Sequence, residues 1–144
     1  MKDKFKKAAK DLTTFDSIAK SVINVLKEEM EKSSDHIVNF VSGSVTSDGP
    51  KYIERNLKKL IQHTNSVAKQ TNAPTFSANY VVDLFTQVRP KSDNTKPNRL
   101  KFWKKIMESL VITDVYMAPG WEKSIGAIAE HKLAKKLKMR IHYL

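Results

Sequence analysis

From Leu12 to Met30 the apolar residues Leu12, Phe15, Ile18, Val22, Val25, Leu26 and Met30 recur at steps of three and four, which predicts one face of an amphipathic helix. The segment HIVNFVSGS then concentrates Ile37, Val38, Phe40 and Val41 in a run too short for a helix and halted at Ser42-Gly43-Ser44, the pattern of a buried strand. Asp48-Gly49 makes a turn, and Pro50 suits the first position of the helix that follows. That helix keeps Ile53, Leu57, Leu60, Thr64 and Val67 on one face and ends near Gln70. A short strand is expected at Thr75–Ser77, whereas Tyr80–Phe85 has no readable period. The run TQVRPKSDNTKPNR, with two prolines and almost nothing apolar, predicts an exposed, mobile loop.

Leu100, Trp103, Ile106, Met107 and Leu110 restore the helical period, TDVYM reads as a strand, and Pro119-Gly120 closes it. Ser124 is placed as the N-cap of a helix to about Leu137, and MRIHYL is a last strand. Strands alternating with helices predict an α/β fold, a Rossmann-like, mostly parallel sheet with helices on both faces. Residues 1–35 are read as an N-terminal helical extension and 36–144 as the α/β domain, a size that fits one ordinary core.

Cysteine is absent and His36, His63, His131 and His142 lack the spacing of a helical ligand pair, so no metal site is expected. No stretch has the length of a membrane span or the unbroken apolar core of a signal peptide, which predicts a soluble, cytoplasmic protein without a membrane partner. The net charge of +11 is unevenly placed: residues 1–35 carry eight Lys/Arg against seven Asp/Glu, and residues 36–144 carry eighteen against eight. The basic body favours an anionic partner.

In such a sheet, ligands bind beyond the carboxyl ends of the strands. Two such ends carry candidate chemistry. In FVSGSVTSDG, Gly43 permits close backbone approach, and Ser44 with the Asp48 turn offers polar groups; the same residues also suit a plain tight turn. In APGWEKSIGAIAE, Gly120, Trp121 and Ser124 precede a helix start able to hold an anion. Glu130 shares a helix face with Gly126 and Ala127, leaving open space before a carboxylate with apolar neighbours, as nucleophiles and general bases are often presented. It could equally pair with Lys123 or Lys132 on a solvated face. Asp114, opening the TDVYM strand, reads as a helix-to-strand turn residue, and Trp121 either stacks on a ligand or covers the core.

Strand-Gly43-Ser44, then Asp114 before an apolar strand, then PGWEKSIGAIAEHKLAKKLKMRI together resemble the nucleoside 2-deoxyribosyltransferase-like superfamily, including its deoxynucleoside 5'-monophosphate N-glycosidases and a bacterial and phage branch with a Pro-Gly-Trp signature. The resemblance spans about Ile37 to the end. It implies an N-glycosidase or deoxyribosyltransferase that requires no metal or redox cofactor, a nucleoside or nucleotide substrate and a homo-oligomer, usually a dimer. Glu130 would attack C1' of the sugar, Asp114 would position the substrate or protonate the leaving base, and Ser44 and Ser124 would line the sugar or 5'-phosphate site. Gly126 and Ala127 would be small so that a deoxyribose reaches Glu130. Members often carry a further carboxylate in the helix before the Asp114 strand, where this chain has Trp103.

Two other classes remain open from the sequence. One is a nucleotide-sequestering module without catalysis. The other is a nucleic-acid-binding protein, motivated by Arg89, Lys91, Lys96, Arg99, Lys101, Lys104 and Lys105 around Phe102 and Trp103.

Overall fold

The structure, a computed structural model, describes residues 1–144. Its helices are α1 (Lys2–Ala8), α2 (Phe15–Lys32), α3 (Ile53–Thr71), α4 (Lys96–Glu108) and α5 (Ile125–Lys136). The strands are β1 (Asn39–Ser42), β2 (Thr75–Ser77), β3 (Asp114–Met117) and β4 (Arg140–Tyr143), all parallel in the order β2-β1-β3-β4. This is a Rossmann-like α/β fold. No helix is long and apolar enough to cross a membrane.

Register decides which side chains share a face. Phe40 pairs with Val115 and Ser42 with Met117, whereas Asn39 pairs with Asp114 and Val41 with Tyr116. Because side chains alternate across a strand, Phe40, Ser42, Val115 and Met117 point to one side. Phe40, Val115 and Met117 join the main core there with residues of α1, α2, α4 and α5. Val41 points to the other side and packs on Leu60 and Val67 of α3. Helices therefore cover both faces, as expected of crossover connections of one hand.

The main core is unusually aromatic. Phe76 of β2 lies between Phe5 of α1 (ring centroids 5.3 Å apart) and Phe40 of β1 (5.5 Å), and Phe40 stacks on Trp103 of α4 at 5.7 Å. Phe102 meets Trp103 at 5.1 Å and Phe85 at 5.0 Å, both edge-on. Such pairs each contribute about 0.5–1.5 kcal/mol beyond area burial, so residues from the chain's first turn to its fourth helix are tied into one cluster. The helical segment 1–35 contributes Phe5, Ala9, Ile18, Val22 and Leu26 to that cluster, all fully buried.

Two elements differ from their sequence patterns. The helix expected from Leu12 begins at Phe15, because the Thr14 side chain accepts the Ser17 N–H as N-cap; a separate helix, α1, precedes it. The expected loop at residues 86–99 is shorter. Thr95 caps α4 through the Asn98 N–H, Pro97 occupies its first turn where no N–H is needed, and Val88 is buried. The stretch without a readable period forms 3-10 turns at Ala78–Tyr80 and Val82–Gln87 that seat Leu84 and Phe85 in the core.

Candidate active site

At the carboxyl end of β3, Gly120 takes a left-handed conformation (φ 84°) and a 3-10 turn, Trp121–Lys123, leads into α5. Ser124 is the N-cap, its buried Oγ accepting the Ala127 N–H at 3.2 Å. That hydroxyl is engaged inside its own helix. Ala127 and Ala134 turn into the core against β3 and β4, setting the rotation of α5. Glu130, between them, is directed to the end of β1, where the Ser42 Oγ donates to its Oε2 at 3.2 Å.

Glu130 forms no ion pair with Lys123 or Lys132. Burial pushes its carboxyl up to about 8, and the Ser42 hydrogen bond only partly opposes this. The residue as a whole is half-buried. It lines a cavity of about 350 Å3 between α4 and α5. The apolar wall is Leu100, Trp103, Met107 and Leu133, and the rim carries Lys101, Lys104, Lys132 and Lys136. The open space in front of Glu130 thus comes from the separation of α4 and α5 rather than from Gly126 and Ala127. Ala127 is buried, and a methyl group built on Gly126 would meet nothing within 4 Å.

Gly43, Ser44, Asp48 and Gly120 come together in a second cleft of about 240 Å3 at the carboxyl ends of β1 and β3. The chain runs from β1 outward to β2 and then returns past β1 to β3, so this is the switch point where open α/β sheets bind ligands. Gly43 sits in a tightly packed position: a Cβ there would lie 3.0 Å from Ala118 Cβ and 3.4 Å from Leu60 Cδ1. Arg55, Asn56, Lys59 and His63 of α3 form the far wall. No residue is shared between this cleft and the Glu130 cavity. The two open on opposite sides of the end of β1.

Asp114 is at the opposite, amino end of β3, on the α3 side of the sheet. Arg140 grips it with Nε to Oδ1 at 2.8 Å and Nη2 to Oδ2 at 2.9 Å; Thr113 Oγ1 donates at 2.7 Å, and His142 Nε2 is 3.0 Å away. Burial alone would raise the Asp114 carboxyl, but these hydrogen bonds outweigh it and hold it at about 2. Asp114 therefore ties β3 to β4 and does not meet Glu130. Trp121 lines neither cleft: it stacks on His131 at 4.2 Å, and His131 Nε2 is 2.8 Å from the Tyr143 hydroxyl.

Ser42, the one partner of Glu130, and the α3 residues were not singled out by sequence. Arg55, Lys59 and His63 do follow one another at steps of four, a basic stripe on one helix face. Ser42 carries no such signal, because only the register of β1 against β3 turns it toward α5. No group of three or more His, Asp or Glu side chains is placed to hold a metal ion.

A family model described as a domain of unknown function (DUF4406) matches residues 90–143, the stretch from the approach to α4 through β4 that carries both Asp114 and Glu130. No curated protein and no solved structure matches the chain.

Proposed function

We propose that this chain cleaves the N-glycosidic bond of a nucleoside or nucleoside 5'-monophosphate, with the Glu130 carboxylate as nucleophile, as an N-glycosidase or a 2-deoxyribosyltransferase. The observation that carries the reading is the position of Glu130: a carboxyl whose proton affinity is raised by burial, held by Ser42 at the carboxyl end of β1 and lining an apolar-walled cavity between α4 and α5. The resemblance of the Ser124-x-Gly126-x-x-x-Glu130 segment to the deoxyribosyltransferase-like superfamily supports the same assignment.

In this reading the carboxylate oxygen bonds to C1' as the C1'–N bond breaks, and the bonding pair leaves with the base. The base takes up a proton from a cavity lysine ammonium or from water, since Asp114 is at the other end of the sheet. Water, or a second base, then displaces the sugar from the ester and frees the carboxylate. Positive charge develops at C1' in both steps, and an anionic carboxylate held against an apolar wall stabilises it more than bulk water would. The lysine rim supplies charge for a 5'-phosphate.

Incubation with a panel of deoxynucleoside monophosphates and nucleosides tests the proposal by release of free base. Wild type should release base from at least one of them and Glu130→Ala from none; absence of release by both removes the enzymatic reading.

A second reading is a nucleotide-binding module without turnover. The separation of the Ser44 cleft from the Glu130 cavity favours it, because a ligand held only in that cleft does not touch the carboxyl. The nucleic-acid reading has less support: Phe102 is only 2 % exposed within the aromatic core, and Lys105 is paired with Asp16.

A further inference from the structure

We infer that the Glu130 cavity selects a nucleobase whose edge carries carbonyl oxygens and no amino group, such as hypoxanthine, uracil or thymine, over adenine and cytosine. The inference deepens the proposed function and rests on its reading of this cavity as the place where sugar and base are held. The first observation is the kind of polar group around the space. Apart from Glu130, the polar side chains lining the cavity are Lys101 and Lys104 of α4 and Lys132 and Lys136 of α5. An ammonium donates hydrogen bonds and accepts none.

The second observation is that the walls offer almost no acceptor. No Asn, Gln, Ser, Thr or Tyr side chain lines the cavity; its other residues are Leu100, Trp103, Met107, Ala129 and Leu133. The backbone carbonyls of residues 100–104 and 129–132 are inside α4 and α5, where they accept from the following turn. None of the four lysines forms a salt bridge, in contrast to Lys105, which pairs with Asp16. Their charges therefore face the cavity without a protein counter-ion. The Glu130 carboxylate is the one side-chain acceptor, and during glycosyl transfer it is engaged at C1'.

The apolar walls suit the faces of a base, and the lysines are left to meet its edge. A carbonyl oxygen at that edge accepts from an ammonium, whereas the amino group of adenine or cytosine turns its own hydrogens toward a positive charge. The outcome does not depend on which lysines take a 5'-phosphate, because every lysine that remains is a donor. The same contact helps bond cleavage. The electron pair that leaves with the base spreads onto a ring carbonyl oxygen, where an ammonium stabilises it.

The test pairs bases that differ in one substituent: hypoxanthine against adenine, and uracil against cytosine. Each free base is titrated into the full-length protein while the Trp103 and Leu133 amides are followed by NMR, and base release is measured from the four matching deoxynucleoside monophosphates. Hypoxanthine and uracil should shift both amides saturably and bind at least about tenfold tighter than adenine and cytosine. Rates of base release, as kcat/KM, should fall in the same order. Changing Lys101, Lys104, Lys132 and Lys136 together to Gln, all at exposed helix positions and each supplying an acceptor, should narrow the ratio to less than about threefold. Overturning results are equal or tighter binding of adenine and cytosine, a ratio unmoved in the Gln variant, or no saturable shift with any base. Base release without this preference would leave the catalytic proposal standing and remove the selectivity; selective binding without base release would do the reverse.

Discussion

Ser42 Oγ donates to Glu130 Oε2 at 3.2 Å, joining the carboxyl end of β1 to the second turn of α5. The contact is the one hydrogen bond on a carboxyl whose proton affinity is raised by burial to about 8. A nucleophilic carboxylate must lose that proton, so base release should rise with pH through about 8 in the free protein. Because the Ser42 hydrogen bond favours the ionised form, Ser42→Ala should move the rising limb of the pH–rate profile to higher pH. An unmoved limb would detach Ser42 from the ionisation of Glu130.

The same group sets a stability profile. The folded-state value of Glu130, about 8, lies above the ordinary 4.5, so the folded chain holds a proton that the unfolded chain releases. Its contribution to stability is complete below about pH 4.5, declines above it and is lost as pH rises through about 8. Glu130→Gln, neutral at every pH, should flatten that decline in denaturant titrations across the interval.

Asp114 gives the opposite sign. Held at about 2, below its ordinary 3.8, it stabilises the fold above pH 3.8 and loses that contribution as pH falls through about 2. Asp114→Asn breaks the paired hydrogen bonds to Arg140 and should cost about 1.5–3 kcal/mol at neutral pH. Base release per folded molecule should change little. A selective loss of turnover, with stability retained, would instead give Asp114 a part in the chemistry.

Gly43→Ala drives a methyl group to 3.0 Å from the Ala118 side chain, which has no flexible end to move aside. The expected cost is about 1–3 kcal/mol, measured by thermal or denaturant unfolding. An unchanged stability would mean that the ends of β1 and β3 can separate freely.

Phe5 is fully buried against Phe76 although it is in the first turns of the chain. Phe5→Ala should destabilise the whole α/β unit by about 3–5 kcal/mol in a single cooperative transition. Loss of only a local helical signal would show α1 and α2 to be an appendage of the core.

The fold was legible because its signals are local. The apolar periods of α3 and α4, the Ser124 cap and the β-branched run before Gly43 each act within a few residues. The features that were not legible are set by distant partners. Phe85 and Leu84 lie in a segment with no period because 3-10 turns, held by the aromatic core, decide which side faces inward. At the site, Glu130, Gly43 and Ser44 could be picked out from local chemistry. That Glu130 answers to Ser42, while Ser44 and Asp48 belong to a different cleft, follows from strand register and helix rotation across 88 residues. Asp114 shows the limit most plainly: its position at the start of a strand was readable, but the grip of Arg140 from β4 was not.

The assignment of Glu130 as nucleophile is tested most directly by rapid acid quench of the protein during turnover of a deoxynucleoside monophosphate, followed by mass spectrometry of the peptide containing residue 130. The expected result is a glycosyl ester on Glu130 that forms as base is released and is absent in Glu130→Gln. Base release at full rate with no adduct on that peptide, or its persistence in Glu130→Gln, would contradict the account.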